Sequence, residues 1–275
     1  MDEHEIAARR ERWGQTPDSR VPDPEAARAL IERVGIITHF AASPEFPNLY
    51  QAHMGDPDAA TDPRHDSPAG EVYTWRWHLG RMGAGFYTAI VRKRPTWVHW
   101  DLLPAVLRLR GELRTPDELF DLGVISDGAY RVARALEAAG GVLSTGDLRK
   151  EAGFPTGRDQ RAAYQKAVDE LDTRLMLAKE FSTADDEMHH ALVMERYRDH
   201  LVAADRLSPE DALDRLLATY LPNAVYVLPV PFSRHLGIDE TDLIAALDRL
   251  QELGAVARHG QGKNARYVWQ QAVTR

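Results

Sequence analysis

Two residues of this 275-residue chain have the chemistry of a general base beside a β-prone run: His39 and Glu45. An imidazole titrates near neutrality and a carboxylate can direct water, so either could activate a nucleophile. A histidine next to an apolar strand is also a common hydrogen-bonded structural residue. Among eleven histidines, only His189 and His190 are adjacent. Neighbours on a strand point to opposite faces, so this pair is not expected to chelate one ion, and no metal is expected. The run Gly260-Gln-Gly-Lys-Asn-Ala265 matches a dinucleotide string, Gly-x-Gly-x-x-Ala. That string works between a strand and a helix, whereas here it joins two β-prone runs. It therefore reads as a hairpin tip whose Lys263 can reach a phosphate. No Gly-x-Ser-x-Gly, Gly-x-x-x-x-Gly-Lys-Ser/Thr or His-Glu-x-x-His motif occurs. The absence of cysteine excludes disulfides, cysteine-ligated metals and a thiol nucleophile. No cofactor is expected.

The formal charge is −8, which as a total opposes binding to phosphate. The charge is segregated, however. From residue 255 to the end, Arg258, Lys263, Arg266 and Arg275 meet no acid, giving +4. Between residues 76 and 114, Arg76, Arg81, Arg92, Lys93, Arg94, Arg108, Arg110 and Arg114 outweigh Asp101 and Glu112, giving +6. The remainder carries −18. Local potential at a groove, rather than the sum, governs attraction of a polyanion.

The elements that must position these residues are mainly helical. Residues 1–23 read as a polar helical arm. Asp23-Pro24-Glu25 opens a helix with Ala27, Leu30, Ile31 and Val34 on one stripe, stopped by Gly35. A short strand follows at 36–40. The Asp- and Pro-rich stretch 54–70 reads as a solvated acidic loop. Trp75 and Trp77 are expected on one face of a strand. With Trp97 and Trp100 they are expected in a core, although one of the four could instead stack on a displaced base.

From Ser126 onward a regular order emerges: a helix over 127–139, a Ser144-x-x-Asp147 cap and short helix, and a turn. A longer helix and β-prone runs at 175–181 and 191–197 complete it. The same order returns after the Ser208-Pro209 cap, ending in a hairpin over 255–269. A helix, a helix–turn–helix and a two-stranded wing define a winged helix, so the expected fold class is mainly α with small β-hairpin wings, as tandem winged helix-turn-helix domains. Residues 126–200 and 207–275 form two of them. In the first, Arg158, Arg161 and Lys166 fall on the proposed recognition helix. In the second, that helix opens with Asp239, Glu240 and Asp242, and only its wing suits DNA, through Arg258, His259, Lys263, Asn264 and Arg266.

The chain resembles the AlkZ/YcaQ-related winged-helix proteins, whose characterised members are DNA glycosylases acting on crosslinked and alkylated bases. Three stretches carry the resemblance: Ala27-Arg-Ala-Leu-Ile-Glu-Arg-Val-Gly-Ile-Ile-Thr-His-Phe40, Glu71-Val-Tyr-Thr-Trp-Arg-Trp-His78, and Pro95-Thr-Trp-Val-His-Trp-Asp-Leu-Leu-Pro-Ala-Val-Leu-Arg-Leu-Arg110. It implies a third winged-helix unit over residues 24–114 and a concave scaffold for duplex DNA, contacted also by Arg92, Lys93 and Arg94. In active members a Gln-x-Gln or Gln-x-Asp motif positions the hydrolytic water. The matching positions here are Thr38, His39 and Phe40, so His39 and Glu45 are left as candidate bases and excision lacks its usual groups. The expected partner is duplex DNA, with no membrane and no small-molecule cofactor. The acidic start has no signal-peptide pattern, and the expected location is cytoplasmic. A non-catalytic regulator and a protein-interaction scaffold remain open as alternatives.

Overall fold

Capping and periodicity lay out the first elements. Helix α1 (Glu3–Arg12) starts on an Asp2 cap, and α2 (Pro24–Val34) starts where Asp23 accepts from the Ala26 N–H. Gly35 ends α2 at φ 75°, and a Cβ there would stand 2.8–2.9 Å from Thr219 and Leu102 side chains. Only glycine meets both the left-handed turn and the close approach. Strand β1 (Ile36–Thr38) follows, then α3 (Leu49–Met54), α4 (Pro68–Arg81), β2 (Phe86–Val91) and β3 (Arg94–Val98). The chain is seen here as a computed structural model describing residues 2–62, 64–262 and 265–270.

The next elements are α5 (Leu103–Arg110), α6 (Pro116–Asp121), α7 (Asp127–Ala139), β4 (Leu143–Ser144), α8 (Thr145–Glu151) and α9 (Arg158–Thr173). After them come β5 (Leu177–Phe181), β6 (Met188–Leu192), α10 (Val193–Arg196), α11 (Arg198–Asp205) and α12 (Pro209–Ala224). The chain closes with β7 (Tyr226–Val227), α13 (Pro229–Leu236), α14 (Glu240–Glu252), β8 (Val256–His259) and β9 (Arg266–Trp269). The protein is mainly helical with three small antiparallel sheets, ordered β1-β3-β2, β4-β6-β5 and β7-β9-β8. In each, the strand before the hairpin pairs with the hairpin's second strand. The order helix, strand, helix, helix, hairpin is thus written three times.

Two details differ from the sequence reading. Trp75 and Trp77 lie on helix α4, not on a strand, and so do not share a face. The buried residues of α4 are Ala69, Val72, Trp75 and Leu79, a helical stripe behind a Ser67 cap and Pro68. The acidic loop therefore ends at the Ser67 cap. Trp75 and Trp97 are buried, while Trp77 and Trp100 are half-buried. The second difference is at 193–196, where the expected strand gives way to α10 after β6.

A second core, built from residues between Leu119 and Leu192, belongs to α6–α9 and the β5–β6 hairpin. The main core runs from Trp13 to Tyr267 and joins the first and third repeats. The two halves meet where Phe181 of β5 enters an aromatic nest, with ring centroids 5.6 Å from Trp77, 5.7 Å from Tyr87 and 5.9 Å from Trp97. Gly80 of α4 makes room, since a Cβ there would come within 2.1 Å of the Phe181 ring. Beside the nest, Lys179 donates to buried Asp172 at 2.7 Å.

An exposed helical Gly→Ala change ordinarily stabilises by about 1 kcal/mol. Gly80→Ala is expected instead to destabilise by about 1–3 kcal/mol through overpacking against Phe181, and Phe181→Leu in the same chain to recover most of the loss. Urea unfolding of the three variants measures both.

Candidate nucleic-acid interface

His39 directly follows β1, and the pairing of that strand removes it from water. The register sets Ile37 opposite Trp97 and Thr38 opposite Thr96, and the His39 N–H donates to the Pro95 carbonyl at 2.9 Å. His39 is 1% exposed. Its Nε2 donates to the Val72 carbonyl at 2.7 Å, while Nδ1 is buried with no partner among the described residues. Burial, aided by the Arg76 charge, lowers its pKa to about 4, so the ring is neutral at pH 7. Thr38 is fully buried and donates to the Pro47 carbonyl at 3.2 Å. Phe40 packs on Tyr50 with ring centroids 5.8 Å apart.

Glu45 is equally enclosed. Its carboxylate accepts from the Leu228 N–H at 3.3 Å and faces the Arg9 guanidinium at 3.9 Å. Burial raises its pKa, and Arg9 and the Leu228 N–H only partly oppose that. It joins the loop after β1 to the third repeat and is 1% exposed.

The cationic positions separate into those left exposed and those engaged within the fold. Arg158, Arg161 and Lys166 are exposed on α9, and among the described residues none of them forms an ion pair. Lys93 and Arg94 are exposed at the β2–β3 turn in the same condition. Arg92 and Lys93 both take positive φ, 49° and 58°, in a two-residue turn between Val91 and Arg94. Lys93 and Lys166 line one cleft of about 560 Å³ together with Asp169, Glu170 and Asp172.

A second group is engaged internally. Arg92 donates through Nη1 to the Ala42 carbonyl at 3.0 Å. Arg258 lies 3.6 Å from Asp248 and over the Tyr267 ring. Arg266 pairs with Glu5 at 3.2 Å and fixes α1 to the last hairpin. His259 is exposed at the end of β8. Lys263 and Asn264 lie outside the described residues. Of the remaining basic segment, Arg81 is held by Asp186 at 2.6 Å and Arg114 by Glu112 at 2.7 Å.

Sequence reasoning passed over Arg9, Arg10, Arg234 and His235. Arg9 looked like one cation on a polar arm, yet it is 5% exposed. Its only sequence signal was Trp13 four residues on, an apolar anchor unusual for a solvated arm. The His235 Nδ1 lies 2.7 Å from the Ser43 hydroxyl, and its carbonyl accepts from the Arg92 N–H at 3.0 Å. No local pattern could announce that meeting.

The architecture is therefore a mainly helical scaffold with three hairpin sheets and a set of free cations on α9 and the first hairpin. A family model described as "AlkZ related" matches residues 21–224, and the chain belongs to that family. Among solved structures, it is similar to Streptomyces sahachiroi DNA glycosylase AlkZ, with a TM-score of 0.58 and 13% identity. The match covers 98% of this chain and 70% of that one, a likeness of fold. No curated protein matches the chain by sequence. Among the described residues, no helix is long and apolar enough to cross a membrane.

The buried imidazoles give stability a pH dependence. His39 and His190 are both lowered from 6.5 to about 4, chiefly by burial. The unfolded chain binds these protons below about pH 6.5 and the folded chain does not. Stability from each is thus complete above 6.5 and falls as pH drops towards 4, by on the order of 3 kcal/mol per group. Glu45, with its raised pKa, works in the opposite direction. Comparing wild type with His39→Gln cancels that term. Urea titrations between pH 7 and pH 4 should show a shallower decline in the variant.

Proposed function

We propose that this chain is a tandem winged-helix protein that binds duplex DNA non-covalently, as a diverged relative of crosslink- and alkylation-repair glycosylases, and that residues 38–40 do not excise bases. In this reading the three repeats are winged helices over residues 24–114, 126–200 and 207–275, behind the arm 1–23. The observation that carries it is the exposure of Arg158, Arg161 and Lys166 on α9, without ion pairs among the described residues. In a helix–turn–helix module, the first turn of this helix meets the groove. Lys93 and Arg94 extend the same positive field from the first hairpin. Exposed Asp239, Glu240 and Asp242 at the start of α14 would repel phosphate, and Arg258 and Arg266 of the last hairpin already face Asp248 and Glu5, so in this reading these elements of the third repeat add little to the contact.

The non-excising part of this reading is supported by chemistry. Hydrolysis of an N-glycosidic bond needs a group that directs water and stabilises an oxocarbenium-like sugar. Thr38 and the His39 Nε2 spend their donors on backbone carbonyls, the His39 Nδ1 is shut away from solvent, and Phe40 has no polar group to give.

Two measurements test the reading. The slope of log K against log salt for a short duplex should fall by about 2 in the double variant Arg158→Ala/Arg161→Ala. Arg266→Ala should leave that slope unchanged and lower stability instead, because its partner is Glu5. A salt-independent interaction would sink duplex binding. Incubation with duplex carrying an N7-methylated purine should release no base above background; release by wild type would overturn the non-excising assignment, and its loss in His39→Ala would make that histidine catalytic.

A further inference from the structure

The two-residue turn between β2 and β3 brings its cations to two different neighbours. Lys93 lines the cleft shared with Lys166 of α9, whereas the Arg92 side chain donates to the Ala42 carbonyl in the loop after β1. The Arg92 N–H meets the third repeat, donating to the His235 carbonyl near the end of α13 at 3.0 Å. Arg92 and Lys93 both hold the positive φ that such turns usually give to Asn or Gly. The fold thus keeps two long cations where a less strained residue would close the turn.

Around this contact the free charges are of one sign. Arg92 and Arg234 are exposed, His235 is half-buried, and neither arginine forms an ion pair among the described residues. One hydrogen bond to a neutral carbonyl positions Arg92 without neutralising it. Arg110 of α5 stands close by, its guanidinium 3.0–3.2 Å from where a Cβ of Gly237 would lie, and it too has no ion pair among the described residues. The His235 ring is oriented by Ser43, whose hydroxyl lies 2.7 Å from Nδ1 and accepts from the Glu45 N–H at 3.0 Å. This leaves Nε2 without a described partner. Burial, and then the charges of Arg92 and Arg234, lower the His235 pKa, so the ring is mainly neutral at pH 7. The acids nearby have other engagements. Glu45, beyond Ser43, is buried and faces Arg9. Asp239, Glu240 and Asp242 open α14 beyond Gly237, and the Asp239 carboxylate is taken up by the Thr241 and Asp242 N–H groups. Two guanidiniums flanking an imidazole, with no carboxylate between them, have the donors and the charge to hold an oxyanion.

We propose that Arg92, Arg234 and His235 form a phosphate site where the first repeat meets the third. The proposal rests on the duplex-binding reading above: the phosphate is a phosphodiester of the duplex that meets α9 and Lys93, and the contact continues from there into the third repeat. A free phosphate ion has the same chemistry. Between the arginines, a phosphate offsets the charge that keeps His235 neutral and accepts from its Nε2–H. The imidazolium is then favoured, binding takes up a proton, and affinity rises as pH falls.

The test uses the full chain, a short duplex and inorganic phosphate. Arg234→Ala, at an exposed position without side-chain hydrogen bonds among the described residues, is expected to lower the slope of log K against log salt by about 1, one phosphate contact. Between pH 7.5 and pH 6.0 wild type is expected to gain roughly threefold more duplex affinity than His235→Asn, which keeps the carbonyl that Arg92 uses. An unchanged slope in Arg234→Ala, or an equal gain in His235→Asn, overturns the site and leaves the duplex-binding reading standing without it. If wild type binds no duplex, that reading falls, and calorimetry with inorganic phosphate at pH 7.5 decides the site. Binding lost in Arg234→Ala assigns it to free phosphate; no binding, or binding that survives in the variant, overturns it. Should His235→Asn not fold, the heat of duplex binding in two buffers of different ionisation enthalpy replaces it. Proton uptake by wild type should then exceed that of Arg234→Ala, and equal uptake overturns the proposal.

Discussion

A guanidinium taken out of water must have its donors met, and the way Arg9 meets this demand organises much of the molecule. Its Nε donates to the Ala224 carbonyl at 2.6 Å, one Nη donates to the Tyr226 carbonyl, and the other reaches the Pro44 carbonyl at 3.3 Å. The plane of the group lies over the Tyr226 ring, 3.4 Å from its centroid. Glu45 supplies the counter-charge and itself needs the Leu228 N–H. One side chain on the arm thereby fixes the end of α12, the start of the third sheet and the loop after β1. The first and third repeats already share an apolar core, and this buried charge ties the arm across both.

The second repeat is attached by a different principle. Phe181 fills a nest that three aromatic rings and the bare backbone of Gly80 shape for it, and the buried Asp172–Lys179 pair sits alongside. Dispersion and shape dominate this junction, while the other adds a buried charge and its backbone hydrogen bonds to a shared apolar core. Together they set α9 against the β2–β3 turn and bring Lys93 and Lys166 to one cleft.

The cations left over are what this architecture can offer a polyanion. A cation spent on an internal carboxylate, as Arg81, Arg114 and Arg266 are, adds little to an external field. Those on α9 and the first turn remain unpaired among the described residues. A chain of net charge −8 can in this way keep exposed cations without ion pairs among the described residues on α9 and the first hairpin, while Thr38 and His39 are given over to packing.

Local chemistry was legible in the sequence wherever it depends on near neighbours. Ser126, Ser144 and Ser208 caps, Pro at first helical turns and apolar periodicity placed α7, α8, α9, α12 and α14 and the last hairpin. The same local reading misassigned Trp75 and Trp77, because aromatic side chains favour strands and the Ser67-Pro68 start of α4 was read as loop. Which cations are free, and whether His39 and Glu45 touch water, depended on partners far away in the chain. Arg266 meets Glu5, Arg9 meets Ala224 and Tyr226, and His39 meets Val72. Spacing alone fixes a cap or a helical stripe, since these are interactions across one or two turns. Burial and pairing are set by which surfaces close on one another, and only the tertiary structure decided those.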